Sequence, residues 1–160
     1  MKVKINDLQQ GSKIEFNFKI DSLEDLNLKE PVEVTGTVYR VEDFYVVQGN
    51  YKTILDLQCV KCLKTITQNL EGNFDGKFLN PKSYEKYLSS LEEEEEMEDE
   101  IVGEASNGEI DILELVREYI ILDLPLYPSC DPICEDTSVI DRYSDDGVDP
   151  RWQQLLQIKN

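Results

Sequence analysis

The four cysteines of this chain are the residues whose type and spacing most directly indicate chemistry. They form two close pairs, Cys59-x2-Cys62 and Cys130-x3-Cys134, separated by 67 residues. Two thiolates this close, at the tip of a predicted β-hairpin, can point at one metal ion, and the second pair can do so from a loop. Four thiolates complete a tetrahedral zinc site and leave no open position for catalysis. The spacing therefore predicts a structural zinc bound by Cys59, Cys62, Cys130 and Cys134.

Two other interpretations of the same cysteines stay open. Reduced cysteines are often buried as small hydrophobic residues without a metal, and a cytosolic C-x2-C pair can also carry out thiol–disulfide exchange. Cys59 lacks the strand-to-helix context that lowers the pKa of a redox-active thiol. Lys61 and Lys64 would lower the pKa of a neighbouring thiol, but this effect favours zinc binding equally.

The composition excludes several classes of enzyme. The 160 residues contain no histidine, so this chain can form neither a Ser-His-Asp triad nor a Cys-His pair, and histidine cannot ligate a metal. The sequence also lacks a phosphate-binding P-loop, a dinucleotide-binding glycine motif and a nucleophile elbow. The composition therefore removes a large share of the ordinary enzyme mechanisms.

Charge is distributed unevenly along the chain, whose net charge is −18. Residues 1–80 contain 10 Lys/Arg and 12 Asp/Glu, whereas residues 81–160 contain 6 and 22. Phosphate binding depends on Lys and Arg, so the second half is expected to bind a basic protein rather than nucleic acid.

The N-terminal residues include no apolar signal segment, and no apolar window is long enough to span a membrane. These patterns predict a cytoplasmic protein.

The first 80 residues are predicted to form antiparallel strands. Apolar and polar residues alternate across Lys13–Ile20, which is typical of a half-buried strand. Residues 32–41 are rich in β-branched and aromatic side chains. Gln48–Tyr51 predicts a tight turn, because its Gly-Asn pair accepts the positive φ that hairpins need. Further strands precede Cys59 and follow Cys62.

Residues 81–109 are predicted to be an acidic, flexible insertion that contains a short helix at Lys82–Leu91. Eight of the nine residues from Glu92 to Glu100 are acidic, and a run of like charges repels itself. Residues 110–160 are predicted to supply a helix, a cysteine loop and a terminal helix.

The helix after residue 110 has clear start and stop signals. Asp111 and Glu114 form a variant of the capping box. Apolar residues follow at helical spacing, and Pro125 ends the pattern. Asp149-Pro150 gives the terminal helix a similar start.

Together these elements predict an α+β fold. An antiparallel sheet or partly open barrel forms the N-terminal half, and two to three helices from the C-terminal half pack on it. The length of the chain fits a single domain over residues 1–160, with a β-rich part at 1–80.

Two groups of residues are candidates for partner binding. Tyr39, Phe44 and Tyr45 could stack on single-stranded RNA, although aromatic residues are also ordinary strand formers. The acidic run could engage a basic partner or could be a solvated linker; its first residues are Glu92, Glu93 and Glu94. Trp152 lies on the apolar side of the predicted terminal helix.

Several short motifs occur in a fixed order along the chain. They are Leu57-Gln-Cys-Val-Lys-Cys-Leu63, Ile110-Asp-Ile-Leu-Glu-Leu-Val116, Leu124-Pro-Leu-Tyr-Pro-Ser-Cys130, Cys134 and Val148-Asp-Pro-Arg-Trp152. In this combination the chain resembles the YceD family, the large ribosomal RNA subunit accumulation proteins. The resemblance implies a bacterial, cytosolic, non-enzymatic factor in accumulation or processing of the 23S ribosomal RNA precursor and in ribosome assembly. It also places the four cysteines at the family's cysteine positions.

Two functions from different classes are compatible with these observations. The favoured one is a ribosome assembly factor that binds a basic ribosomal protein or an rRNA-processing factor, and precursor rRNA through the β half. The alternative is a cytosolic thiol redox enzyme or metal-dependent enzyme that uses the C-x2-C pair. About one zinc per chain would favour the first, whereas metal-independent folding with insulin-reductase activity would favour the second.

Overall fold

The structure is a computed structural model that describes residues 1–91, 102–131, 133–134 and 138. The chain divides into two compact units. The sheet unit comprises Met1–Asp56 and Thr67–Leu126, and the cysteine unit comprises Leu57–Ile66 and Tyr127–Asn160. The acidic run and the predicted terminal helix lie outside the described residues. The assignment of residues 1–160 to one domain stays a prediction.

The described elements are seven strands and two α-helices. The strands are β1 (Lys2–Lys4), β2 (Lys13–Ile20), β3 (Leu28–Val41), β4 (Phe44–Gln58), β5 (Thr65–Leu79), β6 (Val102–Glu104) and β7 (Glu109–Asp111). The helices are α1 (Pro81–Leu91) and α2 (Ile112–Asp123). Short 3-10 turns occupy Ile5–Asp7 and Ser106–Gly108.

Five of the strands form one curled sheet in the order β2-β3-β4-β5-β6. β3 pairs antiparallel with both β2 and β4, and β6 pairs parallel with β5. A separate two-stranded sheet joins β1 to β7 in antiparallel register. Because the N-terminal half forms this half-barrel sheet and the C-terminal half contains two helices, the predicted α+β class is confirmed.

The core of the sheet unit lies between one face of the five-stranded sheet and α2. Three fully buried residues alternate along β3, as the two-residue period of a strand requires: Val32, Val34 and Val38. α2 contributes three fully buried residues on a single stripe: Ile112, Val116 and Ile120. All six belong to one apolar cluster, so burial of this stripe holds α2 against the sheet.

α2 begins and ends as its sequence signals predict. The Asp111 carboxylate accepts hydrogen bonds from the backbone N–H groups of Leu113 at 3.1 Å and of Glu114 at 3.4 Å. These two donors have no partner within the helix, so the cap stabilises the first turn. The helix ends at Asp123, two residues before Pro125. The short helix predicted at Lys82–Leu91 is likewise present as α1.

The tight turn predicted at Gln48–Tyr51 is wrong, because these residues continue β4. Gly49 lies opposite Gly36 of β3. A Cβ atom on Gly49 would lie 2.5 Å from the ring of Phe74, and one on Gly36 would lie 2.6 Å from the ring of Phe16. The two rings stack with their centroids 6.4 Å apart. The glycines therefore make room for aromatic rings at mid-strand instead of reversing the chain.

The β3–β4 turn and two short strands are further differences from the prediction. The turn lies at Glu42-Asp43, where Glu42 adopts a positive φ of 53° without the usual glycine. Strands β6 and β7 fall within or beside the predicted insertion at 81–109. Three-residue strands carry too little periodic signal to be predicted, and their pairing depends on strands distant in sequence.

Candidate metal centre

The first cysteine pair lies in a tight turn directly after β4, within the cysteine unit. The backbone N–H of Cys59 donates to the carbonyl of Lys64 at 2.9 Å, and the N–H of Leu63 donates to the carbonyl of Cys59 at 2.9 Å. Gln58 adds a side-chain hydrogen bond to the carbonyl of Leu63 at 3.2 Å. Leu63 itself has a φ of 62°, which lets the chain reverse immediately after Cys62. The turn is therefore a hydrogen-bonded knuckle rather than an open loop.

The second pair is tied to this knuckle through the backbone. The N–H of Val60, inside the C-x2-C motif, donates to the carbonyl of Pro128 at 2.8 Å. Pro128 lies two residues before Cys130. This bond therefore fixes the position at which the second cysteine pair approaches the first. The sequence pattern does not predict this contact, because a backbone hydrogen bond across about 70 residues leaves no trace in the order of side chains.

All four cysteine sulfurs meet in one cluster. The Sγ atoms of Cys59 and Cys134 are 3.6 Å apart, and those of Cys62 and Cys130 are 3.5 Å apart. All four lie within 4.8 Å of one another, and none is in a disulfide. Sulfurs bound to one tetrahedral zinc at 2.3 Å would be about 3.8 Å apart. The spacing therefore fits a four-thiolate site, and this group could hold a metal ion.

Burial and hydrogen bonding set the protonation of the cluster. Cys59 has no exposed surface, and Cys62 and Cys134 are each 8% exposed. Backbone N–H groups, first that of Cys62 and then those of Lys61 and Cys130, lower the pKa of the Cys59 thiol to about 6. Hydrogen bonding with the Cys62 sulfur, together with burial, raises the pKa of Cys130 to about 12. Burial also raises the pKa of the Cys134 thiol.

This arrangement has a simple chemical consequence. The lowered pKa of Cys59 favours its thiolate form, while the raised pKa values of Cys130 and Cys134 favour the protonated thiol before a metal binds. A divalent metal would displace these protons and would be bound by all four sulfurs. Because the four protein ligands fill a tetrahedral site, the chemistry that such a metal supplies is structural cross-linking.

The aromatic candidates for partner binding occupy different environments. Tyr39 of β3 and Phe44 of β4 are partly exposed on the sheet face opposite the core, and the register makes them diagonal neighbours. Tyr45 belongs to the core instead and is 6% exposed. The guanidinium of Arg40 lies 5.5 Å from the centre of its ring. Burial therefore leaves little of the Tyr45 ring for a partner, whereas Tyr39 and Phe44 can be reached from solvent.

The remaining predicted partner residues, Glu92, Glu93, Glu94 and Trp152, lie outside the described residues. A set of exposed apolar residues at the end of α2, including Leu122 and Leu126, was not predicted from the sequence. The signal for these two was present in Leu122-Asp-Leu-Pro-Leu126, where apolar residues continue beyond the buried stripe.

The two described helices were compared with the length and apolar character that a membrane-spanning helix needs. Neither of them combines enough length with enough apolar character to span a bilayer.

Comparison with known proteins adds a curated relative and a family. No solved structure matches the chain at a significant level. The relative is "Uncharacterized protein ML1660" of Mycobacterium leprae (strain TN), which is 23% identical over 136 residues. The match covers 80% of this chain but only 59% of that protein.

The family match covers most of the chain and includes the whole cysteine cluster. Residues 47–159 match the family described as "Large ribosomal RNA subunit accumulation protein YceD". All four cysteines and α2 lie inside the matched region, in agreement with the motif resemblance. The chain therefore belongs to the YceD family.

Proposed function

We propose that this chain is a non-enzymatic factor in large-subunit ribosomal RNA accumulation, acting in the cytoplasm through a basic protein partner. The observation that carries the proposal is the family match over residues 47–159, whose description names this process. The closed four-cysteine cluster within that region supports a structural role for the site, because four protein ligands leave no position for a substrate.

Zinc is the proposed metal of the cluster. Four thiolates in a tetrahedral arrangement favour zinc, or iron in some proteins. Metal analysis of the purified chain is expected to give about one zinc per chain, and Cys59→Ser is expected to remove it. Lys61→Ser, in the same turn, is the matched control and should retain zinc. Recovery of iron with its visible absorption, or of no metal, would contradict this assignment.

A basic protein is the proposed partner, because residues 81–160 contain 22 acidic and 6 basic residues. Such a segment attracts cations and repels phosphate. Any contact with precursor rRNA is therefore assigned to the β half, where Tyr39 and Phe44 are partly exposed. A tagged chain isolated from growing cells is expected to recover large-subunit precursor particles.

Salt titration tests how the partner is bound. Purified chain should bind bare precursor rRNA weakly, with little dependence on salt concentration. Tight binding that falls steeply with salt would indicate many phosphate contacts and would overturn the protein-partner proposal.

A thiol redox enzyme is the second candidate, favoured by the lowered pKa of Cys59, about 6. A thiolate is the reactive form of cysteine. However, a redox thiol must meet its substrate, and Cys59 has no exposed surface. Folding that resists EDTA, together with insulin-reductase activity that Cys59→Ser abolishes, would establish this candidate in place of the first.

A further inference from the structure

The end of α2 exposes apolar side chains that the sheet unit does not cover. Ile121, Leu122 and Leu126 are 38%, 77% and 89% exposed. We name these three residues the α2 end patch; all of them belong to the sheet unit. On the other side of the same helix, Ile112, Val116 and Ile120 are completely buried. These exposed apolar residues lie within six positions of one another, and groups of exposed apolar residues mark surfaces that bind a partner.

Carboxylates border the patch. Glu118 precedes Leu122 by one helical turn, and Asp123 follows it directly. The Asp123 carboxylate accepts a hydrogen bond from the buried hydroxyl of Tyr51. On the neighbouring strand β5, the Asp75 carboxylate accepts one from Tyr119 at 3.2 Å. Two of the three carboxylates are thus held in place by tyrosine hydroxyls.

No described cation neutralises this border. Within the described ranges, none of the salt bridges includes Glu118, Asp123 or Asp75. Arg117 is the basic residue of α2, and it already pairs with Asp25 and, at 2.8 Å, with Glu114. The last turn of the helix contains no basic residue, although its free carbonyls favour a cation. As far as the structure describes the chain, the patch therefore combines an apolar centre with a negative border that no cation pairs.

We propose that the α2 end patch is the docking surface for a cationic protein segment with an apolar anchor. The inference rests on the proposed function, because it assigns the surface that binds the basic partner of large-subunit assembly. The anchor would be desolvated against Leu122 and Leu126, and Lys or Arg side chains around it would pair with Glu118, Asp123 and Asp75. The same carboxylates repel phosphate, so the charge of the patch selects protein over RNA.

Recovery of large-subunit precursor particles by a tagged full-length chain tests the inference. The readout is precursor rRNA together with large-subunit proteins, measured at increasing salt. Leu122→Ser combined with Leu126→Ser removes the apolar centre, and Glu118→Lys reverses one border charge. We expect each variant to lower recovery about tenfold, as truncation of central interface residues does. Wild-type recovery should also fall as salt screens the border.

Matched controls alter similar residues away from the patch. Leu88 is 44% exposed on α1, so Leu88→Ser removes an exposed apolar side chain elsewhere in the same unit. Glu85→Lys, also on α1, reverses one exposed charge there. Both controls should recover particles as the wild type does. All the substituted side chains are exposed, and thermal unfolding checks that each variant is folded.

Each remaining outcome counts against the inference in a distinguishable way. If the wild type recovers no particles, the proposed function fails and the docking inference fails with it. If the wild type recovers particles and both patch variants recover as many, the docking inference alone fails. Self-association that is lost in the Leu122→Ser, Leu126→Ser variant would assign the patch to a second copy of the chain. Patch-dependent binding of bare rRNA would assign it to nucleic acid, and both results overturn the inference.

Discussion

The sheet unit and the cysteine unit are stabilised by different interactions. The sheet unit buries a large apolar cluster that includes Tyr51 at 1%, Phe74 at 2% and Ile110 at 0% exposure. In the described part of the cysteine unit, the buried cluster is Cys59, Cys62 and Cys134, with Ile66 and Cys130 packed against it. Apolar burial therefore stabilises the sheet unit, whereas in the described part of the cysteine unit four sulfurs that could hold a metal ion take the place of an apolar core.

Metal removal should produce the largest difference in stability between the two units. Structural zinc contributes about 10–16 kcal/mol of apparent binding free energy in small zinc domains, so chelation or Cys59→Ser should unfold residues 57–66. Amide hydrogen exchange is the measurement: protection should be lost there and retained in β2 and β3. Lys61→Ser should leave protection intact. Unchanged protection of the knuckle after chelation would show that it folds without metal.

A core truncation should destabilise the sheet unit and leave the cysteine unit unchanged. Ile120 is fully buried in α2, so Ile120→Ala should lower the free energy of unfolding of the sheet unit by about 2–5 kcal/mol. Ile121→Ala, at the next position, should cost less because that side chain is 38% exposed. Denaturant unfolding measures both effects. Zinc content should stay unchanged in both variants, and equal losses of stability would contradict the assigned burial.

Overpacking at the glycine pair in the sheet should reduce stability less than the core truncation does. In Gly49→Ala the new methyl group would contact the carbonyl of Thr35 and lie 2.5 Å from the Phe74 ring. The expected loss is about 1–3 kcal/mol, measured by thermal unfolding. Gly76→Ala is the control, since its nearest neighbours are side-chain atoms at 3.0 to 3.3 Å that can move. A neutral Gly49→Ala would mean that the aromatic stack is loosely packed.

The smallest effect is expected for the buried tyrosine hydroxyl. Tyr51→Phe removes the hydrogen bond to Asp123, which should cost about 1–2 kcal/mol. Tyr127→Phe, at an 80% exposed ring, should be nearly neutral. Burial and this hydrogen bond raise the pKa of Tyr51. The stabilisation by the Tyr51 hydroxyl should therefore be complete below the ordinary tyrosine pKa of about 10. It should decline as the pH rises towards the raised pKa. A pH-independent difference between the wild type and Tyr51→Phe would contradict this.

Local sequence signals were sufficient for some elements and not for others. Strand β2 and helix α2 were predicted because alternation across Lys13–Ile20 and the Asp111 cap are properties of neighbouring residues. Gly49 was misassigned to a turn because its role depends on two rings, Phe16 and Phe74, contributed by other strands. A glycine in the sequence can serve a turn or a close contact, and only its neighbours in space determine which of the two applies.

The same distinction holds at the candidate site. Residue type and spacing identified the four cysteines, because thiolate pairs at short separation are a local pattern. Their approach depends on the hydrogen bond from Val60 to Pro128, which no local pattern encodes. The apolar end of α2 was missed for a related reason. Leu122 and Leu126 resemble core residues by type, and only the folded chain shows that nothing in the sheet unit covers them.

Parallel pairing of β5 with β6 makes the chain between them a crossover connection. Lys77 lies beside Val102 and Leu79 beside Glu104, so the chain must travel back along the strand direction before β6 begins. Helix α1 lies within this connection, and β6 itself is only three residues long. A strand this short is held by its neighbour in the sheet rather than by its own sequence, so β6 can order only once β5 is in place.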